Sequence, residues 1–348
     1  MKTKKTSSFI NQIIHGDCLK IMQSWSSDCV DLVFTSPPYE NARVNCGKLT
    51  GKRWVEWAEE IYIACYRACH GLTAWVVEGR TKNFHWSATP IMLMNSLIYA
   101  GVPLRKPPIY HRVGIPGSGG PDWLRNDYEF IICASKGKLP WSDNTAMGHP
   151  PKWAPGGEMS HRISSGARVN QWGHSIASGA TVIKECAAKG SWGKRNYSNT
   201  KAGVVKKDRW YEPPEKANPG NVIKGPSMEE RNREGPHRVR RKMQLNGELP
   251  AYTPPVKANP GNVIKLNVGG GQMGSKLAHE HPAPFPESLA EFFIKSFCPP
   301  GGLVCDPFCG SGTTLAVAKR LGRNYIGIDI DKKWCDLSQR RVEEVQCP

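Results

Sequence analysis

Short apolar runs alternating with stretches of helical period constrain this chain more than anything else in it. QIIHGD (12–17), CVDLVFTS (29–36), LTAWVVEG (72–79) and YEFIICAS (128–135) read as strands, and the unbroken run in the second suits a strand buried on both faces. Between them lie helical patterns: CLKIMQSW (18–25), WVEWAEEIYIACYRAC (54–69) and a segment from Thr89 to Ala100. After residue 266 the alternation resumes. A helix carrying Leu289, Phe292, Phe293 and Phe297 precedes a strand GLVCDP, a loop FCGSG, a helix TTLAVAKRLG, a strand YIGIDI and a closing helix through Arg341. Strands alternating with helices imply an open parallel sheet, so the expected fold class is α/β, with a mostly parallel twisted sheet.

The middle of the chain breaks this rhythm. From about residue 138 to 265 the sequence consists of short polar pieces rich in Gly, Pro, Trp, Lys and Arg. Three parts are therefore expected: 1–137, an irregular lobe at 138–265, and 266–348. Within the lobe, residues 184–245 hold 16 Lys/Arg against 7 Asp/Glu, interleaved with Trp192, Tyr197, Trp210 and Tyr211. Cations that neutralise phosphate beside rings that stack on bases suit a nucleic-acid reader, with Lys194, Arg195, Arg238, Arg240, Arg241 and Lys242 as the expected phosphate contacts. A solvated linker has the same composition. The lobe also repeats itself, PPEKANPGNVIK (213–224) returning as PPVKANPGNVIK (254–265) with one change. Each copy pairs a Pro-Gly turn with a short strand.

Charge narrows the partner. The chain carries 47 Lys+Arg against 30 Asp+Glu, a formal +17, which favours an acidic polymer, although a generally basic protein would show the same total. Its twelve cysteines include no C-x-x-C, and the pairs Cys65/Cys69 and Cys305/Cys309 are four apart, so they are expected to be free thiols of a cytoplasmic protein. Neither a signal-peptide core nor an apolar run of transmembrane length is present. His279 and His281, two apart with no third ligand, are expected to be loop residues, and no metal is expected.

Two constellations carry chemistry. Asp306-Pro-Phe-Cys-Gly-Ser-Gly-Thr-Thr314 sits between a strand and a helix, where Gly310 and Gly312 admit close backbone approach and the helix start near Thr313 offers free N–H groups. It is not a dinucleotide fingerprint, because the third glycine would fall at Leu315, and no Lys-Ser/Thr makes it a phosphate loop. Asp329, at the end of the next strand, is placed to accept from both ribose hydroxyls, so a nucleoside without pyrophosphate fits. The other constellation, Thr35-Ser36-Pro37-Pro38-Tyr39-Glu40, ends a buried strand. An exocyclic base nitrogen is a poor nucleophile because its lone pair is delocalised. Acceptors held against its two hydrogens, the Ser36 hydroxyl and the Pro37 carbonyl, would turn that lone pair toward an electrophilic methyl, while Pro38 stiffens the turn and Tyr39 offers a face to the base. Each motif alone is also an ordinary turn.

Taken together, in the order TSPPY, basic region, DPFCGSGTT, these motifs resemble the DNA amino-methyltransferases, in the beta class whose catalytic motif precedes its cofactor motif. The resemblance covers about residues 12–137 and 266–341. It implies an S-adenosylmethionine-dependent methyltransferase fold with a smaller DNA-recognition lobe, S-adenosyl-L-methionine as donor, and double-stranded DNA with a flipped base as substrate. It also implies donor-binding roles for Asp17 and Cys18 on the adenine side and for Asp329 on the ribose. Asp306, Phe308, Gly310, Ser311, Gly312 and Thr313 would hold the methionine part, with Phe285 and Pro286 of HPAPFPE (281–287) closing over it. Serine before Pro-Pro is the family's usual mark of cytosine N4 methylation, and HPAPFPE is similar to cytosine-N4 members. Site-specific or low-specificity N4 methylation of cytosine is therefore expected. Its rivals are adenine N6 methylation, amino methylation of RNA, and a DNA-binding protein that has lost catalysis. A cognate restriction enzyme is a compatible partner. With no Pro-Cys dipeptide of the cytosine-C5 type, no covalent intermediate is expected.

Overall fold

The computed structural model describes residues 9–42, 49–113, 124, 126–148, 263–267 and 273–346. Apart from Leu124 these fall in one compact unit, residues 1–117, 126–148 and 259–348. The basic residues Lys194, Arg195, Arg238, Arg240, Arg241 and Lys242, the first repeat copy at 213–224 and most of the second lie outside the described residues.

The unit is built on an eight-stranded sheet. In chain order its elements are β1 (Gln12–His15), α1 (Cys18–Gln23), β2 (Val30–Thr35), α2 (Gly51–Ala68), β3 (Cys69–Val77), a small hairpin β4–β5 (Thr81–Lys82 and His85–Trp86), α3 (Thr89–Tyr99), β6 (Ile109–Val113) and β7 (Tyr128–Ala134). Then follow β8 (Val263–Asn267), a 3-10 turn (Lys276–Glu280), α4 (Glu287–Phe297), β9 (Leu303–Asp306), α5 (Thr313–Arg320), β10 (Asn324–Asp329) and α6 (Lys332–Glu343). The sheet runs β1-β10-β9-β2-β3-β7-β6-β8. Strands β1, β10, β9, β2 and β3 are mutually parallel, and β7 is antiparallel to both β3 and β6. Among the described residues no helix is long and apolar enough to cross a membrane.

All the long elements expected from periodicity are present. The hairpin β4–β5 and strand β6 are additions, the former too short to carry a period and the latter masked by His111 and Arg112 in IYHRV. The edges of the expected lobe also shift. Val263–Asn267 pairs in parallel with β6 and buries Ile264, so residues 263–265 belong to the sheet and not to the lobe. Residues 138–148 stay with the sheet as well, held by a bond from Asp143 N–H to the Ser296 carbonyl of α4.

Strand alternation divides the core. Trp75, Val77, Ile132 and Ala134 face α1, α2 and α3, where Met22, Trp54, Ile61 and Tyr62 are buried. Their neighbours Leu72, Ala74, Val76, Ile131 and Cys133 face α4 and α5, against Leu289, Phe293 and Leu315. On that second face Phe293 stacks on Phe34 of β2 with ring centroids 4.7 Å apart. This stack fixes the strand whose end becomes the Ser36 turn, so Phe293 is both core and scaffold. Phe293→Ala is expected to cost about 3–5 kcal/mol of stability in denaturant titration, whereas a loss below about 1 kcal/mol would show that the face repacks around the cavity.

Candidate active site

Strands β2 and β9 are neighbours, but their connections leave in opposite directions: β2 continues through α2 to β3, and β9 through α5 to β10. An open α/β sheet has its ligand crevice at such a switch, beyond the carboxyl ends of the strands. A cavity of about 780 Å³ lies there. Its walls come from the ends of β1 (Gly16, Asp17, Cys18), β2 (Ser36, Pro37, Pro38, Tyr39), β9 (Pro307, Phe308, Gly310) and β10 (Asp329, Ile330, Asp331). The segment 281–286 and Trp334 of α6 complete one side, and Tyr110, Arg112 and Glu129 the other.

The Ser36 turn and the glycine loop thus face one cavity, as the sequence requires. Thr35 and Asp306 join them directly: the Thr35 hydroxyl donates to Asp306 Oδ1 over 2.6 Å. The turn is anchored on α2 as well, since the Pro38 carbonyl accepts from Trp54 Nε1 at 2.9 Å and the Glu40 carboxylate accepts from Gly51 N–H at 2.8 Å, near the helix start. The Ser36 hydroxyl lies 3.2 Å from Tyr39 Oη and 3.4 Å from the Val76 carbonyl. Tyr39 donates in turn to Glu129 Oε2 at 2.7 Å. Tyr39 was expected to offer only its ring, and its hydroxyl has this additional task.

Expected donor-binding residues divide into two groups. Asp17, Cys18, Phe285, Pro286, Phe308, Gly310 and Asp329 are on the cavity wall. Asp17 also caps α1, accepting from Leu19 N–H at 2.9 Å. Cys18 is a thiol, its pKa pushed by burial to about 12. Phe308 is wedged against Trp57 and Trp75 at centroid distances of 5.7 and 5.6 Å. Asp329 accepts from Gly310 N–H through one oxygen and from Asp331 N–H through the other, and burial raises its pKa.

Ser311, Gly312 and Thr313 are not on that wall. They pack behind it, where the buried Arg341 of α6 donates to Ser311 Oγ, Thr313 Oγ1, the Met273 carbonyl and Glu287. Gly312, at φ 76°, starts α5, and a Cβ there would stand 3.0 Å from the Ser338 backbone. Both its positive φ and its packing against α6 require glycine at this position.

Asp306 is likewise 1 % exposed and sits one residue behind the wall formed by Pro307 and Phe308. Its Oδ1 accepts from Thr35 and from Phe308 N–H, while Oδ2 is buried with no hydrogen-bond partner. An orphaned carboxylate oxygen just behind a cavity lined by Asp17, Asp329 and Asp331 suits a cationic ligand with a nucleoside part, and the apolar walls of Phe285, Phe308, Ile330 and Trp334 accommodate its less polar portions.

Tyr110, Arg112, Glu129, Ile330, Asp331 and Trp334 were not found from sequence. An acid or an arginine inside a strand-like run carries no period of its own. The only available signal was Glu129 itself, an anion at the head of the apolar run FIICA. His281 is on the wall, edge-on to Trp334 at 4.6 Å, with burial lowering its pKa, whereas His279 is exposed. All nine cysteines among the described residues are free.

A family model described as DNA methylase matches residues 30–340. Two curated relatives are each 48% identical over short stretches. The orphan methyltransferase M.BamHII of Bacillus amyloliquefaciens aligns over 68 residues, 20% of this chain and 26% of its own. The type II methyltransferase M.HinfI of Haemophilus influenzae aligns over 66 residues, 19% of this chain and 18% of its own. The chain therefore spans about a quarter or less of the length of these relatives. Among solved structures, PvuII DNA methyltransferase (cytosine-N4-specific) superposes with a TM-score of 0.55 at 17% identity, over 94% of this chain and 85% of that one, so the two share a fold.

Burial raises the Asp306 pKa from its ordinary 3.8 to about 6, against the opposing hydrogen bonds of Thr35 and Phe308. Because the folded value lies above the unfolded one, the folded state holds this proton more tightly. The group favours folding most at the acid end, and that contribution is lost as pH rises through the window from 3.8 to about 6. Asp306→Asn is accordingly expected to gain about 1–3 kcal/mol over the unmodified protein at neutral pH, a gain that shrinks toward about pH 4. Thermal melts at several pH values check this, and a variant equally destabilised at every pH would contradict it.

Proposed function

The chain belongs to the N6/N4 DNA methylase family, and on that premise we propose that it methylates the exocyclic N4 of cytosine in DNA, with S-adenosylmethionine as donor. The observation that carries this reading is the shared cavity: Ser36 to Tyr39 and Phe308 to Gly310 line one space at the switch point of the sheet. When bound, S-adenosylmethionine supplies a methyl group on a cationic sulfur, which departs as a neutral thioether.

Asp17, Asp329, Phe285, Pro286 and Phe308 would hold that donor, and the unpaired Oδ2 of Asp306 is suited to its cationic end. At the opposite wall the Ser36 hydroxyl and the Pro37 carbonyl accept the two amino hydrogens of the base. This draws the nitrogen toward a pyramidal shape with its lone pair directed at the methyl carbon. The new N–C bond forms as the C–S bond breaks, and the extra amino proton leaves to water. The proline and aromatic walls surround these polar groups with apolar surface, which strengthens the contacts they make.

Cytosine is supported by Ser36 in the family's cytosine-type motif and by the chemistry of the remaining wall. The Tyr110 hydroxyl and Arg112 Nε are both buried without partners on residues that line the cavity. Along the Watson–Crick edge a cytosine presents two acceptors after its amino group, N3 and O2, where adenine presents N1 and then a C–H. Two unused donors match cytosine better. The base would be flipped from duplex DNA to reach this depth, with the basic region at 184–245 proposed as the phosphate-binding part.

Ser36→Ala is expected to lower kcat about 100-fold or more while leaving donor affinity within about twofold, because the lost contact forms only with the base. Mass spectrometry of nucleosides from DNA and RNA incubated with labelled donor is expected to give N4-methylcytosine in DNA. N6-methyladenine, or methylated RNA, would overturn the cytosine assignment, and no transfer at all would overturn the enzyme.

A further inference from the structure

Glu129 is buried at the edge of the cavity although it belongs to no motif. It arrives there because β7 runs antiparallel to β3, so its first residues lie at the edge where the parallel strands end. Glu129 Oε2 accepts from Tyr39 Oη at 2.7 Å, and Oε1 accepts from Arg112 Nη1 at 3.0 Å. On the far side of Tyr39 stands the Ser36 hydroxyl, at 3.2 Å.

We propose that Glu129 is a positioning residue for methyl transfer: by accepting the hydrogen bond of the Tyr39 hydroxyl it leaves the Tyr39 oxygen to accept from Ser36, which leaves the Ser36 oxygen to meet the base as an acceptor. The inference rests on the methyltransferase reading above. Its logic is a count of protons. An ionised carboxylate only accepts, and an arginine only donates, so this end of the series is fixed. Tyr39 donates its one hydroxyl hydrogen bond to Glu129, and its oxygen accepts from the Ser36 hydroxyl. The other acceptor within reach of Ser36, the Val76 carbonyl at 3.4 Å, likewise draws that proton away from the base. A serine whose proton pointed at the amino group would repel the hydrogens it has to hold. Arg112 keeps the series in this polarity, because its charge and the Tyr39 bond oppose the tendency of burial to protonate Glu129.

A Glu129–Arg112 pair that served only to hold β6 against β7 would not need Tyr39, which separates the two roles. In Glu129→Gln the donor-only Arg112 claims the amide oxygen and turns the amide N–H toward Tyr39, reversing the series. Turnover is measured for the wild type, Glu129→Gln, Tyr39→Phe and the double variant with labelled donor, alongside calorimetric affinity for S-adenosylmethionine. Glu129→Gln is expected to lower kcat about tenfold or more with donor affinity within about twofold. In the Tyr39→Phe background, where the series is already cut, the same change is expected to lower kcat by less than about twofold. Losses that multiply independently in the double variant, donor binding lost together with turnover, or wild-type turnover in Glu129→Gln would each overturn the proposal. If the wild type transfers methyl groups and Glu129→Gln is unaffected, only this inference falls; if the wild type transfers none, the functional reading falls with it.

Discussion

The hydrogen bond from Thr35 to Asp306 joins the ends of two strands that are 271 residues apart in sequence and adjacent in space. Everything the site does depends on that adjacency. One strand delivers the turn with the Ser36 acceptor, the other delivers the loop with Phe308 and Gly310, and the bond holds their mouths in register. Because the interaction is buried, it has no water competing for it, and its strength is paid for by the discomfort of the aspartate. A carboxylate with one oxygen spent on the scaffold and the other left without a partner is poor for stability and good for receiving a cation.

The antiparallel pair β7–β6 adds something a purely parallel sheet would not. Parallel strands bring only their carboxyl ends to the crevice, whereas a reversed strand brings its start. Glu129 comes from such a start and Arg112 from near the end of the strand beside it, paired by the reversal and facing the Ser36 turn. The cavity consequently has two chemically different ends: an acidic and aromatic one around Asp17, Asp329 and Trp334, and one where Tyr110, Arg112 and Glu129 present both donors and an anion. A cationic nucleoside and a neutral base edge call for that asymmetry.

The fold was largely legible in the sequence where periods were long, as in α2 and β3, because a buried face cannot tolerate a polar residue in register. The TSPPY turn and the DPFCGSGTT loop were legible for a different reason, since a Ser-Pro-Pro and paired glycines after strands force backbone shapes that few other residues adopt. What was not legible is the part of the site that depends on strand reversal. Nothing in YEFIICA says which way the strand runs, so nothing said that Glu129 would face Tyr39. A glycine that permits close approach looks the same in sequence whether the thing approached is a ligand or a neighbouring backbone, and Gly312 does meet the backbone of α6.

The same ambiguity resolves the departure from a dinucleotide fingerprint. In that fingerprint a third glycine lets the helix lie close on the strand, and here its place is taken by Leu315, wholly buried. The close contact is nevertheless made, because the small residue has moved to the opposite partner. Gly327 on β10 would bring a Cβ to within 2.4 Å of Leu315 Cδ1. Helix α5 can therefore lie on the sheet without a glycine of its own, and the loop before it needs only to cradle a nucleoside. The contact that the third glycine serves in a dinucleotide site is thus made from across the interface, by Gly327 of the strand and not by the helix.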